Sequence, residues 1–150
     1  MEGTPSDKQV VGDVLEPLEF AVRREWNEQY VYAEEDFHPR YIEETPAGPS
    51  LVHPALLLNM SNITRSPSFS LSPGLAAIHT GEECQFLHPA RVGGRLKVTW
   101  VVRDAYEKRG RPYRVYEVVI TGEEGENIIK RTMTTTYVSA AMQIVEKGSP

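Results

Sequence analysis

The segment "LVHPALLLNMSNI" at residues 51–63 most narrows the folds open to this chain, because it has the length of a helix and is apolar on nearly every side. Pro54 suits the first turn of a helix, where a backbone N–H has no partner within the helix, and Ser50 can cap it. A helix that is apolar all round is normally enclosed by other elements. The sequence therefore predicts a buried helix with a curved sheet wrapped around it.

The second half of the chain supplies strands for such a sheet. It opens at Leu75 with "LAAIHTGEECQFLHPA". In the next segment, "RLKVTWVVRDAYEKRG", apolar Leu96, Val98, Trp100 and Val102 alternate with polar residues, as in a half-buried strand. "YRVYEVVIT" and "IIKRTMTTTYV" follow the turns "KRGRP" and "GEEGEN". Together these segments predict an antiparallel meander of about four long strands.

A first helix precedes the apolar one. Its apolar residues recur at helical spacing: Val22, Trp26, Tyr30 and Ala33. This pattern predicts a helix from about Arg23 to Glu35. The helix ends before Pro39, because the residue that precedes a proline avoids the helical region.

The order of these elements sets the fold class. Residues 1–13 are predicted to be a flexible N-terminal arm, and residues 14–145 a single domain. Segments 38–50 and 64–74 are rich in proline and serine and are predicted to be loops. Two helices followed by antiparallel strands give the α+β class. A long apolar helix wrapped by a curved antiparallel sheet is the hot-dog fold.

Composition excludes several kinds of function. The 150 residues fit one domain, and a net charge of -5 argues against a nucleic-acid partner, which needs clustered cations. The single cysteine, Cys84, cannot form an internal disulfide, which favours a reducing compartment. No apolar run has membrane-spanning length and no secretory signal precedes the domain, so a cytoplasmic protein without membrane contact is predicted. The four histidines lack metal-site spacing, so no metal is predicted.

Several phrases stand in a recognisable order along the chain. They are "HTGE" at 79–82, "FLHP" at 86–89, "RVG" at 91–93, "DAYEKRG" at 104–110 and "EG" at 124–125. With "EQYVYAEEDFHPRY" beside the first helix, they resemble the MaoC-like hydratase/dehydratase family, and most of all its N-terminal type of dehydratase domain. The resemblance covers most of residues 14–138 and implies the hot-dog fold.

The resemblance also implies an activity class. MaoC-like enzymes add water to, or remove it from, acyl thioesters carried on coenzyme A or acyl carrier protein, and they use no cofactor. Hydration builds enolate charge on the thioester oxygen, which a hydrogen-bond donor at a helix N-terminus stabilises. A base must accept a proton from the water while the α-carbon gains one.

The catalytic members resemble the pattern D-x-N-P-x-H, and "DFHPRY" aligns with it without a gap. Asp36 takes the position of the family's acid and Pro39 that of its proline. His38 stands in place of the asparagine, and Tyr41 in place of the histidine. Tyrosine is a poor base at neutral pH but donates a hydrogen bond. The resemblance therefore implies Asp36, His38 and Tyr41 as candidate catalytic residues.

Candidate substrate-binding residues lie at the helix start and in the first long strand. The catalytic members resemble "hG" at the helix start, where this chain has His53 followed by a proline without an amide hydrogen. The next amides, Ala55 and Leu56, are unpaired donors of a first turn and could hold the thioester oxygen instead. His79 and Gly81 lie in the strand that the family shape places near the pocket.

Two functions from different classes remain open. The chain is a hydro-lyase for enoyl or 3-hydroxyacyl thioesters, or it is a non-catalytic acyl-binding subunit of a heteromeric hydratase. Either reading implies a homodimer or a heterodimer with a MaoC-like paralogue. A hot-dog thioesterase is a more distant reading, since such enzymes usually carry an acid on the central helix and residues 51–63 contain none. The basic segment "EKRGRPYR" at 107–114 is a charged hairpin tip or a dock for coenzyme A phosphates.

Overall fold

The computed structural model describes residues 3–140, which form one five-stranded antiparallel sheet and two helices. The strands are β1 (Leu18–Ala21), β2 (Leu75–Phe86), β3 (Arg95–Lys108), β4 (Arg111–Thr121) and β5 (Asn127–Ser139). The helices are α1 (Arg24–Glu34) and α2 (Pro54–Ile63), with short 3₁₀ turns at Ser6–Lys8 and Pro39–Tyr41. The order of strands in the sheet is β1-β3-β4-β5-β2. The predicted α+β class is confirmed.

Alternating apolar side chains on the central strands build the core. Val98, Trp100 and Val102 on β3 face the same side of the sheet as Val118 and Ile120 on β4. Leu56, Leu57 and Met60 of α2 pack in the same cluster. The period of two in the strands and the helical spacing in α2 thus bring the predicted apolar faces together.

The helix α2 is enclosed on one side only. Leu56, Leu57 and Met60 are buried, whereas Asn59 is exposed and Leu58 is half-buried. The predicted arrangement, an apolar helix wrapped by a curved antiparallel sheet, is confirmed, and the buried residues of α2 belong to the core beneath the sheet. Leu56 and Met60, at the border of the buried face, also line a groove between α1 and α2 together with the exposed Asn59.

The segment predicted as a flexible N-terminal arm lies fastened to the sheet over residues 3–13. Ser6 is fully buried, and its hydroxyl contacts the hydroxyls of both Tyr116 and Tyr137. The Tyr116 hydroxyl donates to Gln9 Oε1 at 2.6 Å, and the Arg114 guanidinium donates to the carbonyl oxygens of residues 7 and 9. These long-range hydrogen bonds argue against a loose arm over this part. Residues 1 and 2 and the end of the predicted domain at 141–145 lie outside the described residues.

Asp7 ties the arm to the loop that follows α2. Burial disfavours its carboxylate, but hydrogen bonds from the Ser72 N–H at 3.0 Å and the Ser72 hydroxyl at 2.7 Å outweigh that cost, so the pKa of Asp7 lies below its usual value. A carboxyl whose folded pKa is lowered stabilises the protein above its unfolded pKa of about 3.9. That stabilisation is lost as the pH falls through the folded pKa.

Replacing Asp7 with asparagine is therefore expected to lower the free energy of unfolding by about 1 kcal/mol at pH 7, because the amide keeps one acceptor but loses the charge. The difference from the wild-type protein should shrink below about pH 4, where the wild-type carboxyl is itself protonated. Urea denaturation at pH 7 and pH 3.5 measures both values. Asp104→Asn, at an exposed carboxyl, is the control, and a pH-independent loss in Asp7→Asn contradicts the charge-based account.

Candidate active site

The end of α1 fixes the position of Asp36. Glu35 adopts a left-handed conformation with φ 54°, and its N–H bonds to the Tyr32 carbonyl at 3.2 Å. The Asp36 N–H bonds to the Val31 carbonyl at 3.1 Å. This pair of bonds is the Schellman arrangement that commonly ends a helix. Asp36 therefore leaves the helix at a defined angle, with its carboxylate about half exposed.

His53 is the hydrogen-bond partner of Asp36. It caps the start of α2, where its Nδ1 accepts the Ala55 N–H at 3.2 Å. Because Nδ1 is an acceptor, the neutral ring carries its proton on Nε2. Nε2 lies 3.1 Å from Asp36 Oδ2 and donates to it. The second carboxylate oxygen of Asp36 is left to accept a proton or a further hydrogen bond. The His53 side chain is only 12% exposed.

Asn27, in α1, holds together the backbone around this pair. It is 1% exposed, and its Oδ1 accepts the His53 N–H at 2.9 Å. Its Nδ2 donates to the carbonyl oxygens of Tyr41 and Leu51, each at 3.0 Å. One buried amide therefore sets the separation between α1, the loop that carries Tyr41, and the start of α2.

The substitution Asn27→Leu keeps the approximate volume but leaves one N–H and two carbonyl groups unpaired in a buried place. We expect it to lower the free energy of unfolding by about 2–3 kcal/mol, since an orphaned buried polar group costs about 1–3 kcal/mol. Asn59→Leu makes the same chemical change on the exposed face of α2 and is expected to change stability by less than about 0.5 kcal/mol. Urea denaturation of both variants decides the matter: equal stabilities would contradict the role given to Asn27.

Aromatic rings pack on both sides of the His53 imidazole. The Tyr41 ring centroid lies 4.8 Å from that of His53, and the Tyr30 centroid lies 5.3 Å from it. Burial, and then the nearby Glu34 carboxylate, raises the pKa of Tyr30, so this phenol stays neutral. Of the three predicted catalytic residues, the structure thus brings Asp36 and Tyr41 to one place, through His53.

His38 takes a different role from its neighbours. Its Nδ1 accepts hydrogen bonds from Arg40, from the backbone N–H at 3.2 Å and from Nε at 3.0 Å. It caps the short 3₁₀ turn at Pro39–Tyr41 and is exposed. The hydrogen-bond partner of Asp36 is therefore His53, which was predicted only as a substrate-binding residue.

The apolar stripe of α1 lines a groove and is not the buried face of that helix. The buried positions of α1 are Asn27 and Val31. Trp26, Tyr30 and Ala33 lie instead along the α1–α2 groove, a depression of about 420 Å³. Its other wall comes from α2: Leu56, Asn59 and Met60. Tyr30 lines the groove and its ring contacts the His53 imidazole, so the groove reaches the neighbourhood of the Asp36–His53 pair.

A second depression, of about 260 Å³, lies beside Tyr41, whose ring contacts the His53 imidazole. Arg40 and Tyr41 contribute to its wall, together with Pro54 at the start of α2 and the exposed Phe86 at the end of β2. The Asp36–His53 pair is therefore flanked by two apolar surfaces that could receive parts of a bound molecule.

The two amides predicted to hold a thioester oxygen are already engaged. The Ala55 N–H donates to His53 Nδ1, and the Leu56 N–H donates to the His53 carbonyl at 3.0 Å. A ligand oxygen could take the Ala55 amide only in exchange for the bond to His53. The oxyanion role of Ala55 and Leu56 stays a prediction.

His79 and Gly81 lie at the other end of the sheet. His79 pairs with Thr135 and Gly81 with Thr134, on either side of a bulge in β2. The His79 imidazole contacts the Gly81 carbonyl at 2.9 Å and Glu82 at 3.3 Å. The β3–β4 turn, which carries the basic segment 107–114, lies toward this same end. Neither His79 and Gly81 nor the basic turn contacts Asp36 in this chain. A role in substrate binding beside Asp36 therefore stays a prediction.

Between residues 3 and 140, no group of three or more His, Cys, Asp or Glu side chains is arranged to hold a metal ion. Within the same range, neither helix has the length and apolar character needed to cross a bilayer.

No protein-family model and no curated protein matches the sequence. Solved structures do match its shape. The (R)-hydratase from A. caviae involved in PHA biosynthesis aligns with a TM-score of 0.68 at 19% identity, over 85% of this chain and 96% of its own. The MaoC-like dehydratase from Rhodospirillum rubrum aligns with a TM-score of 0.69 at 18% identity, over 91% and 98%.

The chain has the hot-dog fold. A further hot-dog structure is the HadBC 3R-hydroxyacyl-ACP dehydratase complex of Mycobacterium tuberculosis, with a TM-score of 0.68 at 15% identity over 87% of this chain and 98% of its own. The predicted resemblance to MaoC-like proteins is confirmed in fold. A shared fold at such low identity does not show that two proteins catalyse the same reaction. The catalytic chemistry of this chain depends on the residues of its own site.

Two functional residues were missed by reasoning from the sequence. Asn27 carried a faint signal, because it is a poor helix former placed one turn before Val31 on the face that is buried. Arg131 lies fully buried on β5 and carried no signal, since its segment predicts only a polar position in a strand. The pairing of Asp36 with His53 spans 17 residues and depends on the packing of two helices.

Proposed function

We propose that this chain catalyses the addition of water to a 2-enoyl thioester, or the reverse dehydration of a 3-hydroxyacyl thioester. The carrier is coenzyme A or acyl carrier protein. The observation that carries the proposal is the Asp36 carboxylate held by His53 Nε2 at 3.1 Å, with the His53 ring in contact with Tyr30 of the apolar groove. Asp36 is the aligned acid of the family motif that the sequence resembles.

The arrangement can perform hydration with balanced proton transfers. Asp36 accepts a proton from a water molecule as the water oxygen bonds to the β-carbon of the enoyl group. Electron density moves onto the thioester oxygen as an enolate, and the α-carbon then takes up one proton from the protonated Asp36. His53 orients the carboxylate through its Nε2–H and acts as a positioning residue.

The acyl group fits the α1–α2 groove on chemical grounds. Trp26, Tyr30 and Leu56 provide apolar and aromatic surface along it, and Asn59 adds one polar group near its far end. In this proposal Tyr41, whose ring packs on His53, donates its hydroxyl to the thioester. Arg40 lines the second depression with Tyr41, and its Nε donates to His38 Nδ1.

A second candidate function is favoured by the state of the first turn of α2. The Ala55 amide is bonded to His53 Nδ1, so the donor expected for enolate charge is occupied. In that reading the chain binds the acyl group, and a partner hot-dog subunit with a complete D-x-N-P-x-H motif performs the chemistry. The likeness to a heteromeric dehydratase complex supports this alternative.

Either function fits a chain that pairs with a second hot-dog protomer. The edge strand β2 is 12 residues long and mostly exposed, with Ile78 and Phe86 among its exposed apolar residues. A long unprotected edge is a ready template for another strand. We propose a homodimer, or a heterodimer with a related hot-dog chain, joined along β2, which size-exclusion chromatography with light scattering measures.

The test is an assay of the purified chain with 2-enoyl-CoA substrates of four and eight carbons, followed by the loss of enoyl thioester absorbance. Turnover by the chain alone, absent in Asp36→Asn protein of equal stability, supports the enzyme. Turnover that arises only after mixing with a complete-motif hot-dog partner supports the acyl-binding subunit. If neither preparation changes the absorbance, both functions are wrong.

A further inference from the structure

A third cavity, of about 290 Å³, lies at the far end of α2 from the Asp36–His53 pair. Trp100, Tyr116 and Met133 from three neighbouring strands contribute to its wall. Arg65 and Phe69, from the loop that follows α2, contribute another side. The ten residues of α2 span about 15 Å, so this cavity is separated from the candidate active site by the length of that helix.

The wall of this cavity contains a positively charged side chain but no negatively charged one among the described residues. It contains one arginine, Arg65, and among the described residues no Asp or Glu lines it. That is a notable local excess of positive charge in a chain of net charge -5. The wall residue His79 contacts the Glu82 carboxylate at 3.3 Å, and that carboxylate also pairs with Arg131 at 2.7 Å.

Arg65 is available to an anion. Arg65 is exposed, and its guanidinium lies over the Phe69 ring, 5.2 Å from the ring centroid. Within residues 3–140, no carboxylate forms a salt bridge with it. A planar guanidinium with unused donors is well suited to bind a carboxylate by two parallel hydrogen bonds.

The remaining wall favours an apolar body. Trp100, Phe69 and Met133 offer aromatic and thioether surface, as in most sites for small organic ligands. The indole N–H of Trp100 is enclosed and has no acceptor within the described part of the chain. An oxygen-bearing ligand would supply the kind of group that this wall lacks.

We propose that this cavity is a binding site for a small apolar carboxylate, with its carboxylate on Arg65 and its apolar body against Phe69, Trp100 and Met133. The site lies outside the groove assigned to the thioester and does not depend on the proposed hydration activity. It would let a free carboxylic acid bind to the protein while the Asp36–His53 pair stays accessible.

Trp100 provides the readout. The chain has two tryptophans, so Trp26→Phe leaves Trp100 as the sole indole reporter. In that background we titrate with octanoate, octanol and octylammonium. Octanoate is expected to change Trp100 emission in a saturable way, with at least about tenfold higher affinity than octanol, and octylammonium is expected to bind more weakly than either.

Two arginine variants make the assignment specific. Arg65→Gln is expected to lower the affinity for octanoate at least about tenfold and leave octanol unchanged. Arg95→Gln, at an exposed arginine on β3, is the matched control and is expected to bind octanoate as before. Ala77→Leu, which places a larger side chain in the cavity wall, is expected to weaken both octanoate and octanol.

The same titration separates this site from the candidate active site. Asp36→Asn protein is expected to bind octanoate with unchanged affinity. A loss of octanoate binding in Asp36→Asn, equal affinities in Arg65→Gln and Arg95→Gln, or the absence of any saturable change in Trp100 emission would each overturn the inference.

Discussion

Replacing Asp36 with asparagine is expected to lower kcat for hydration of an enoyl thioester by about 10²- to 10⁴-fold, the usual contribution of a general base. The asparagine keeps the size of the side chain, and its Oδ1 can still accept the His53 Nε2–H that Asp36 accepts at 3.1 Å. The geometry of the pair is therefore retained, while the ability to accept a proton from water is removed. Steady-state kinetics with a 2-enoyl-CoA measure the loss.

The control and a companion variant separate chemistry from structure. Asp104→Asn changes an exposed carboxyl on β3 and is expected to leave kcat and KM unchanged. His53→Asn keeps a side chain that caps helices well but loses the bond to Asp36, so a smaller loss of kcat is expected. Asp36→Asn protein that is as active as the wild type, with an unchanged free energy of unfolding, contradicts the base assignment.

The fold was accessible from the sequence because its signals are local. Alternation in β3 and in β4 follows from a period of two, and the glycines and charged residues between the segments mark the turns. The caps of α2, with His53 before Pro54, also lie within a few residues of each other. Local patterns of this kind predict the elements and their order along the chain. Because β3, β4 and β5 are neighbours in the sheet in the same order, they also predict how these strands pair.

The site was harder to predict because its partners come from separate elements. Asp36 was identified from the aligned motif, but the motif offered His38 as its imidazole. The actual partner, His53, lies 17 residues away along the chain. The Asn27 side chain holds it in place by accepting a hydrogen bond from the His53 N–H. Sequence spacing says where a side chain is along the chain, whereas such contacts depend on how two helices pack.

A second large effect is expected at the buried cation of β5. The Arg131 side chain is fully buried, and its Nη2 pairs with Glu82 Oε1 at 2.7 Å. Its Nη1 donates to the Leu58 carbonyl at 3.2 Å and to the Ser61 hydroxyl. Arg131 therefore joins the exposed edge strand β2 to α2, and Glu82 supplies the charge that compensates it.

Glu82→Gln is expected to lower the free energy of unfolding by about 2 kcal/mol, below the range for a fully buried ion pair, because Arg131 is buried but the Glu82 side chain is 24% exposed. The glutamine keeps an oxygen that can accept from Arg131, so the variant removes little except the compensating charge. Glu83→Gln, at the next and exposed position of β2, is the matched control and is expected to change stability by less than about 0.5 kcal/mol. Urea denaturation measures both.

The double variant Arg131→Met with Glu82→Gln tests the cause of that loss. If the cost of Glu82→Gln comes from an uncompensated buried cation, removing the cation in the same protein should restore most of the stability, because apolar replacement of a buried ion pair is often close to neutral. If the double variant is as unstable as Glu82→Gln, the gain from removing the uncompensated cation is offset by the lost contacts of Arg131 with α2. His53 is the N-cap of α2, so a loss of contacts with α2 is expected to disturb His53 and to lower kcat in the double variant. If the stability is restored instead, kcat is expected to be unchanged.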